Sequence, residues 1–407
     1  MSFEDLMDAF NSGDEVSCYK TMKVRDFIEF NPKESLKKGE LATKVTMDKL
    51  LPFEKFISSM EQAPFSGGSK FKNGDTLLAR ITPCLENGKT AFVDGLKDGE
   101  VAFGSTEFIV LRCREGVSDP QYIYYLATSS FFRNVAIKSM VGSSGRQRVQ
   151  IGALEDIDIK VPSLEEQRKI ASRLALLDSK IALNSRINDN LQEQARALFK
   201  AWFVDYIPFG GSKPANWKAG KLKDILLLKR NAIKPGENTE LNYLPIDAIP
   251  MNTFAVSEVR PNNEAQSSLI TFNRDDIIIG AMRIYFHRVI IAPFDGITRT
   301  TCFTLCSRSK EYLAFNLLCC DQDSTIEYAQ ATSRGSTMPY AVWDGGLGEM
   351  MIEIPDKAIA LEFNEIVLPI IRTIQSSFLE NKRLQELRDG LLPRLITGEL
   401  DVSGLEL

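Results

Sequence analysis

Apolar positions recur at alternating steps of four and three residues along one stretch of the chain, which is the a/d spacing of a coiled-coil helix. The positions with this spacing, apolar except for two asparagines, are Ile170, Leu174, Leu177, Ile181, Asn184, Asn188, Leu191, Ala195, Leu198 and Trp202. The same spacing returns 193 residues later at Phe363, Val367, Ile370, Ile374, Ser377, Asn381, Leu384, Arg388, Leu391 and Leu395. An amphipathic helix packed on its own domain explains either copy alone, but two copies in one register favour a pair of coiled-coil helices.

Short sequence segments repeat as well, both within this helical pattern (the a/d seam) and before it. The Leu-Gln-Glu at 191–193 returns at 384–386, and the segment 159–162 returns at 352–355. A turn that ends at Asp75 and leads into an apolar run has a counterpart that ends at Asp276. The chain is therefore an internal duplication with the order globular domain, helix, globular domain, helix.

The globular parts contain short β-like runs broken by Gly, Asn and Pro, together with a few helical turns, which indicates an α+β class. We expect two mixed α/β domains separated by two long antiparallel coiled-coil helices, with an internal pseudo-two-fold repeat. The expected boundaries are 1–162 for the first domain, 163–207 for the first helical region, 208–355 for the second domain and 356–407 for the second helical region.

The antiparallel arrangement follows from connectivity. The loop at 207–217 is short, so the second domain should lie near the far end of the first helix, and the second helix must run back if the seams pack. This places the domains at opposite ends of a rod. Pro369 lies inside the second pattern and should kink the helix or delay its regular start. Asn188 and Asn381 occupy equivalent seam positions, where they either fix the register through a buried polar contact or leave an exposed gap.

Composition excludes several classes of protein. The chain has 407 residues, 44% of them hydrophobic, and no apolar run approaches the length of a membrane span, so we expect a cytoplasmic protein with no membrane contact. The net charge of −5 means that phosphate contacts must be local or supplied by a partner. His287 is the only histidine and no C-x-x-C pair occurs, which makes a metal site improbable.

No catalytic signature is present in the sequence. A phosphate-binding loop, a dinucleotide fingerprint and a nucleophile elbow are all missing, which favours a non-catalytic chain without a cofactor of its own. Two other classes stay open. One is a scaffold whose coiled coil joins domains unrelated to DNA, and the other is an enzyme with an unrecognised site.

Basic and small polar residues cluster in matching loops of the two domains. A Gly/Ser loop at 141–148 corresponds to 331–340, and the segment 80–89 corresponds to 283–288. Such loops are either solvated surface turns or DNA-contacting loops, and their paired occurrence favours the second interpretation. The predicted DNA contacts are Arg80, Thr82, Asn87, Lys89, Ser143, Ser144, Gly145, Arg146, Gln147, Arg148, Arg283, Tyr285, Arg288, Ser333, Arg334, Thr337 and Tyr340.

Four segments resemble the specificity subunits of type I restriction–modification enzymes. The run Arg-Ile-Thr-Pro-Cys-Leu-Glu-Asn-Gly-Lys at 80–89 is similar to a signature of their target recognition domains. The segments 162–170, 191–206 and 391–400 are similar to the start and end of the central helical region and to the distal helix. The second domain departs from the pattern, because Tyr285-Phe286-His287 replaces Pro-Cys-Leu-Glu-Asn.

The resemblance implies that each domain reads one half of a bipartite, asymmetric site in double-stranded DNA. It further implies that the helices set the gap between the half-sites and dock two methyltransferase (modification) subunits, which a motor–nuclease (restriction) subunit joins. S-adenosylmethionine, Mg and ATP are then expected only in those partner subunits.

Overall fold

The computed structural model describes residues 19–254, 256 and 259–400. The chain forms two compact units. Unit 1 contains the residues up to 182 and those from 382 onward, and unit 2 contains residues 183–381. Each of the two long helices therefore contributes one part to unit 1 and one part to unit 2.

Unit 1 contains two four-stranded sheets and a separate antiparallel strand pair. One sheet has the order β2-β9-β6-β7 and is antiparallel throughout, whereas the other has the order β4-β3-β8-β5 with β3 and β8 parallel. The remaining pair is β1 with β10. The strands are β1 (Lys20–Lys23), β2 (Ile28–Phe30), β3 (Leu41–Val45), β4 (Glu61–Pro64), β5 (Lys70–Phe71), β6 (Thr76–Ala79), β7 (Thr90–Phe92), β8 (Ala102–Gly104), β9 (Phe108–Cys113) and β10 (Asp158–Val161).

Alternation of side chains in β6 explains how the layers of unit 1 pack. Leu78 faces a core formed with the helices, and Leu77 faces a second core between the two sheets. Asp119 caps the helix that begins at Pro120 by accepting hydrogen bonds from two backbone amides. The helices of unit 1 are α1 (Val24–Phe27), α2 (Pro120–Thr128), α3 (Ser130–Lys138) and α4 (Ile151–Glu155), and α5 (Leu164–Phe203) starts there.

Unit 2 repeats the plan with a different edge strand. Its antiparallel sheet has the order β12-β19-β16-β17, and the second sheet has the order β13-β15-β18-β14. The strands are β11 (Lys218–Lys221), β12 (Leu226–Leu228), β13 (Ala232–Ile233), β14 (Asn242–Tyr243), β15 (Leu269–Phe272), β16 (Ile277–Gly280), β17 (Val289–Ile291), β18 (Gly296–Arg299), β19 (Cys302–Ser307) and β20 (Met351–Ile354). In the second sheet the edge strand that differs between the units is β4, which pairs with β3, in unit 1 and β13, which pairs with β15, in unit 2.

The core of unit 2 is divided in the same way. Ile279 of β16 faces the helices, and Ile278 faces the other sheet. Its helices are α6 (Leu222–Ile225), α7 (Leu313–Cys320) and α8 (Asp323–Ala331), and α9 (Lys357–Thr397) starts there. The mixed α/β class and the internal repeat predicted from the sequence are confirmed.

The long helices are antiparallel within unit 2. Asn184 of α5 meets Asn381 of α9, Asn188 meets the backbone of Ile374, and the ring of Phe203 lies 4.7 Å from that of Phe363. Positions that rise along α5 thus meet positions that fall along α9. The seam is confirmed at buried positions that include Ile170, Leu174, Ala195, Phe363, Val367 and Leu395. In α9 the fully buried isoleucine is Ile371, and the predicted Ile370 is half-buried.

Two expectations about the helices need revision. α9 begins at Lys357 and continues through Pro369, so the proline does not delay the start, and a kink at Pro369 stays a prediction. Asn188 and Asn381 do not form an equivalent pair of buried contacts. Asn188 is buried and donates to the carbonyl of Ile374 (3.4 Å), whereas the half-exposed Asn381 accepts a hydrogen bond from Asn184 (2.9 Å).

Backbone hydrogen bonds show which positions of the two units are equivalent. The amide of Phe53 donates to the carbonyl of Gly88 (3.1 Å), and the amide of Asn252 donates to that of His287 (2.9 Å). Phe53 and Asn252 both have left-handed backbones, with φ of 60° and 58°. Matching bonds of this kind allow side chains at the same place in the fold to be compared.

Candidate nucleic-acid interface

In unit 1 the two predicted loops are joined through their backbones. Residues 141–148 form a hairpin in which Val141 and Arg148 exchange both backbone hydrogen bonds (3.0 and 2.9 Å). The amide of Thr82 donates to the carbonyl of Gln147 (3.1 Å), and that of Val149 donates to Arg80 (2.9 Å). The segment after β6 and the hairpin therefore form one surface.

Unit 2 contains the same junction with other side chains. Arg334 and Tyr340 exchange both backbone hydrogen bonds (2.9 Å each), and the amide of Arg283 donates to the carbonyl of Pro339 (2.8 Å). The amide of Ala341 donates to Ala281 (2.8 Å), as that of Val149 does to Arg80. Arg148 thus corresponds to Tyr340 and Arg80 to Ala281. The sequence match that set Arg80 opposite Arg283 is shifted by two residues.

Arg148 is held by Glu107, a residue that the sequence analysis did not single out. Its Nε lies 3.0 Å from both carboxylate oxygens, and its Nη2 lies 2.6 Å from Oε1. The Arg148 side chain is 46% exposed and that of Glu107 is 22% exposed. The hydrogen bond from Arg148 lowers the pKa of the Glu107 carboxyl group, so this surface carries a charged pair at neutral pH.

Arg80 lies on the other side of Glu107 and lines a polar cavity. Its Nε is 4.0 Å from Glu107 Oε2, a distance beyond hydrogen bonding. The cavity has a volume of about 490 Å³, and Asn31, Lys33, Lys70 and Arg80 are among the residues that line it. Polar donors and acceptors around an open cavity suit base edges or phosphates.

Lys89 and Arg288 occupy equivalent positions, and the side chain of each donates hydrogen bonds to backbone carbonyls of its own unit. Lys89 Nζ donates to the carbonyl of Met47 (2.9 Å), and Arg288 Nη1 donates to the carbonyls of Ile246 and Ile249, the latter at 2.6 Å. The backbone carbonyls held in this way follow β3 and β14. These two cations therefore stabilise the loops from inside, and their predicted DNA contacts remain predictions.

Most other predicted contact residues lie on the surface of the same loops. Thr82 and Gln147 are half-buried where the two loops meet, and Ser333 is half-buried at the end of α8. Thr82 Oγ1 also reaches the carbonyl of Gln147 (3.4 Å). The exposed members are Asn87, Ser143, Ser144, Gly145, Arg146, Arg283, Tyr285, Arg334, Thr337 and Tyr340.

His287 is packed against an acidic partner in unit 2. Its Nε2 lies 3.0 Å from the Asp321 carbonyl and 3.1 Å from Oδ1 of the same residue. Arg196 holds the other oxygen of that carboxylate at 2.7 Å. The hydrogen bond to Asp321 raises the pKa of His287. His287 is therefore a buried, hydrogen-bonded residue of unit 2.

The described residues contain neither a metal-binding cluster nor a membrane-spanning helix. Over 19–254, 256 and 259–400, no group of three or more His, Cys, Asp or Glu side chains is arranged to hold a metal ion. Within those same ranges no helix is long and apolar enough to cross a membrane.

Comparison with known proteins agrees with this description. Residues 17–193 match the family described as "Type I restriction modification DNA specificity domain". A type I restriction enzyme HindI specificity subunit from Haemophilus influenzae is 25% identical, with 84% of this chain and 90% of that protein covered. A MjaIX specificity subunit from Methanocaldococcus jannaschii is 26% identical over 70% of each chain.

A solved structure shares the fold. The crystal structure of a type I restriction–modification S subunit from M. genitalium has a TM-score of 0.57 and 15% sequence identity, with 94% of this chain and 97% of that chain covered. The match extends over both repeats and both long helices. Residues 17–193 therefore match the type I DNA specificity domain, and the chain as a whole is similar to type I specificity subunits over most of its length.

Proposed function

We propose that this chain is the DNA-recognition subunit of a type I restriction–modification complex, in which each unit reads one half of a bipartite, asymmetric target. The observation that carries the proposal is the pair of equivalent loop junctions. Their backbones match bond for bond, whereas Arg80, Glu107 and Arg148 of unit 1 are replaced by Ala281, Thr301 and Tyr340 in unit 2. Unlike side chains on like scaffolds suit two different half-sites.

The chain itself carries out no chemistry in this proposal and acts in the cytoplasm. Its long helices dock two methyltransferase subunits, and motor–nuclease subunits complete the complex. S-adenosylmethionine, Mg and ATP belong to those partners. The exposed apolar residues on the long helices support such docking, since apolar surface of this kind marks protein interfaces. They are Leu176, Leu183, Ile187, Leu361, Ile366 and Leu379.

Adenine-methylation mapping of genomic DNA from the host, with and without this gene, tests the proposal. We expect that deletion abolishes methylation at one gapped, bipartite motif and leaves other motifs unchanged. Re-expression of the chain together with its methyltransferase restores that motif. If no motif is lost while the methyltransferase is shown to be expressed, the chain is a scaffold unrelated to DNA recognition.

Exchange of one unit tests the division of labour. Replacing residues 208–355 by the corresponding domain of a relative should change one half of the motif and leave the other half intact. A change in both halves would contradict independent reading by the two units.

A further inference from the structure

The way in which Glu107 grips Arg148 leaves a defined set of donors available. A guanidinium group is planar and carries five N–H bonds. Glu107 takes the Nε side of this fork, through Nε and Nη2. The Nη1 group has no hydrogen-bond partner within the described part of the chain. The end of the fork therefore keeps two parallel N–H donors, one on Nη1 and one on Nη2.

Two parallel donors match one base edge in the major groove. Guanine presents two acceptors side by side, O6 and N7, and a bidentate arginine is their usual partner. Adenine presents one donor and one acceptor there, and thymine presents one acceptor beside a methyl group. A guanidinium group whose Nε edge is already bound to a carboxylate cannot rotate to present a different set of donors without losing that ion pair.

The backbone of Arg148 is anchored as firmly as its side chain. Arg148 closes the hairpin through its bonds to Val141 and also forms a bridge with Ile81. Arg146 provides the contrast, because it lies on the exposed hairpin turn and its side chain has no ion pair among the residues that the structure describes. Arg148 is thus preorganised for a specific contact, and Arg146 suits a phosphate.

Unit 2 has no arginine paired with a carboxylate at the equivalent position. Tyr340 replaces Arg148, and Thr301 replaces Glu107, as the bonds from the Arg80 amide to Glu107 (2.9 Å) and from the Ala281 amide to Thr301 (2.9 Å) show. A phenol offers one donor or acceptor and cannot make the two parallel donations that guanine accepts.

We propose that Arg148, buttressed by Glu107, reads a guanine in the half-site of unit 1, and that unit 2 does not read guanine at the equivalent position. Arg148 is the base-contacting residue and Glu107 is a positioning residue. The inference rests on the proposed function and adds the identity of one base, the residue that reads it and the residue that orients it.

The test uses the full chain in complex with its methyltransferase. Wild type, Arg148→Lys, Glu107→Gln and Arg146→Ala are compared by motif mapping and by equilibrium binding to duplexes in which each G·C pair of the target is changed to A·T. In wild type we expect one G·C pair of one half-site to be preferred about ten- to a hundredfold over A·T. Arg148→Lys loses most of that preference, because an ammonium is not a planar fork.

The other two variants separate orientation from charge. Glu107→Gln keeps an acceptor of similar size but loses the charged buttress, so the preference at that same pair falls while other positions keep theirs. Arg146→Ala lowers affinity for every duplex by a similar factor and leaves the motif unchanged. Retained discrimination in the other half-site shows that each variant is folded.

The outcomes distinguish the two proposals. If wild type has no motif, the proposed function fails and this inference fails with it. If wild type has a motif but Arg148→Lys keeps full discrimination at every position, the guanine assignment alone is wrong. A uniform loss of affinity in Arg148→Lys without a change of motif would make Arg148 a phosphate contact, and the inference would again be wrong.

Discussion

The interiors of units 1 and 2 differ in chemistry at equivalent positions: one is polar and charged, and the other is apolar. In unit 1 a buried polar cluster joins α2 to the long helices: the Tyr125 hydroxyl donates to Asp178 (2.6 Å), Arg388 donates to the other oxygen of Asp178 (2.7 Å), and Lys55 donates to the Tyr125 oxygen (3.0 Å). In unit 2 the corresponding residues are apolar. They are Phe254 for Lys55, Leu318 for Tyr125, Ile371 for Asp178 and Ala195 for Arg388, and all four are buried.

The contrast shows that the shared backbone does not require either chemistry. The apolar interior of unit 2 is stabilised by transfer of its side chains out of water. Loss of one of these side chains leaves no unpaired polar group on the others. In the polar cluster of unit 1, desolvation of each charge costs free energy, and removal of one partner leaves a buried charge uncompensated. The buried cluster is therefore the more easily broken of the two interiors.

The largest expected effect is that of Asp178→Ile, which installs the residue found in unit 2. Tyr125 then loses its acceptor, and Arg388 keeps only the exposed Asp389 as an ionic partner. Lys55 loses the favourable charge of Asp178. We expect the free energy of unfolding to fall by about 3–5 kcal/mol. Urea unfolding of the full chain measures the loss, and hydrogen exchange should locate it in peptides of unit 1.

A combined variant sharpens the same comparison. Changing all four positions to their unit 2 counterparts removes every buried charge of the cluster and should recover most of the lost stability. If Asp178→Ile alone were neutral, the cluster would not be coupled and the two interiors would be equally robust. The combined variant is Lys55→Phe, Tyr125→Leu, Asp178→Ile and Arg388→Ala.

The second prediction concerns the pH dependence that Lys55 introduces into unit 1. Burial lowers the pKa of Lys55 from 10.5 to about 8, although Asp178 opposes the shift. Between these two values the unfolded chain binds more protons than the folded chain, so the free energy of unfolding rises with pH across pH 8–10.5 and is not affected below it. Lys55→Met lacks this gain, which amounts to about 3 kcal/mol at most.

Urea unfolding of wild type and Lys55→Met at several pH values between 7 and 10.5 checks this expectation. The difference between the two proteins isolates Lys55 from other groups that titrate in the same range. Parallel curves would mean that Lys55 stays charged in the folded state, and the ionic interior would then be less costly than the comparison implies.

The smallest expected effect compares two buried asparagines of the α5 seam in unit 2. Asn184 donates to Glu380 (2.7 Å) and Asn381 (2.9 Å), whereas Asn188 makes one long bond to Ile374 and its Oδ1 has no partner among the described residues. Asn184→Leu should lower the free energy of unfolding by about 1 kcal/mol, and Asn188→Leu should raise it by a similar amount. Thermal melts of both variants measure the signs, and equal signs would refute the distinction.

The long helices and the duplication were predictable because periodicity is a local property of the sequence. The seam at Leu174, Ala195 and Phe363 follows from spacing alone, and so does the strand that follows Asp75. Sequence reasoning missed the polar members of the buried face, such as Asp178. Its hydrogen-bond partners Tyr125 and Arg388 lie far away in the sequence, and nothing local signals them.

The candidate site was predictable only in part, for a similar reason. Composition and repetition identified the loops, but the ion pair between Glu107 and Arg148 depends on how β9 and the hairpin come together. The inward orientation of Lys89 and Arg288 depends on carbonyls after β3 and β14. A basic residue in a loop therefore has no assigned direction until its tertiary partners are known.

The loop junctions have a consequence for how such a chain changes during evolution. Main-chain hydrogen bonds join Thr82 to Gln147 in unit 1 and Arg283 to Pro339 in unit 2. Replacing a neighbouring side chain therefore leaves the junction between the two loops intact. If the two junctions contact DNA as proposed, single substitutions at positions such as 148 or 340 change the bases that are read without disturbing the main chain that holds the loops.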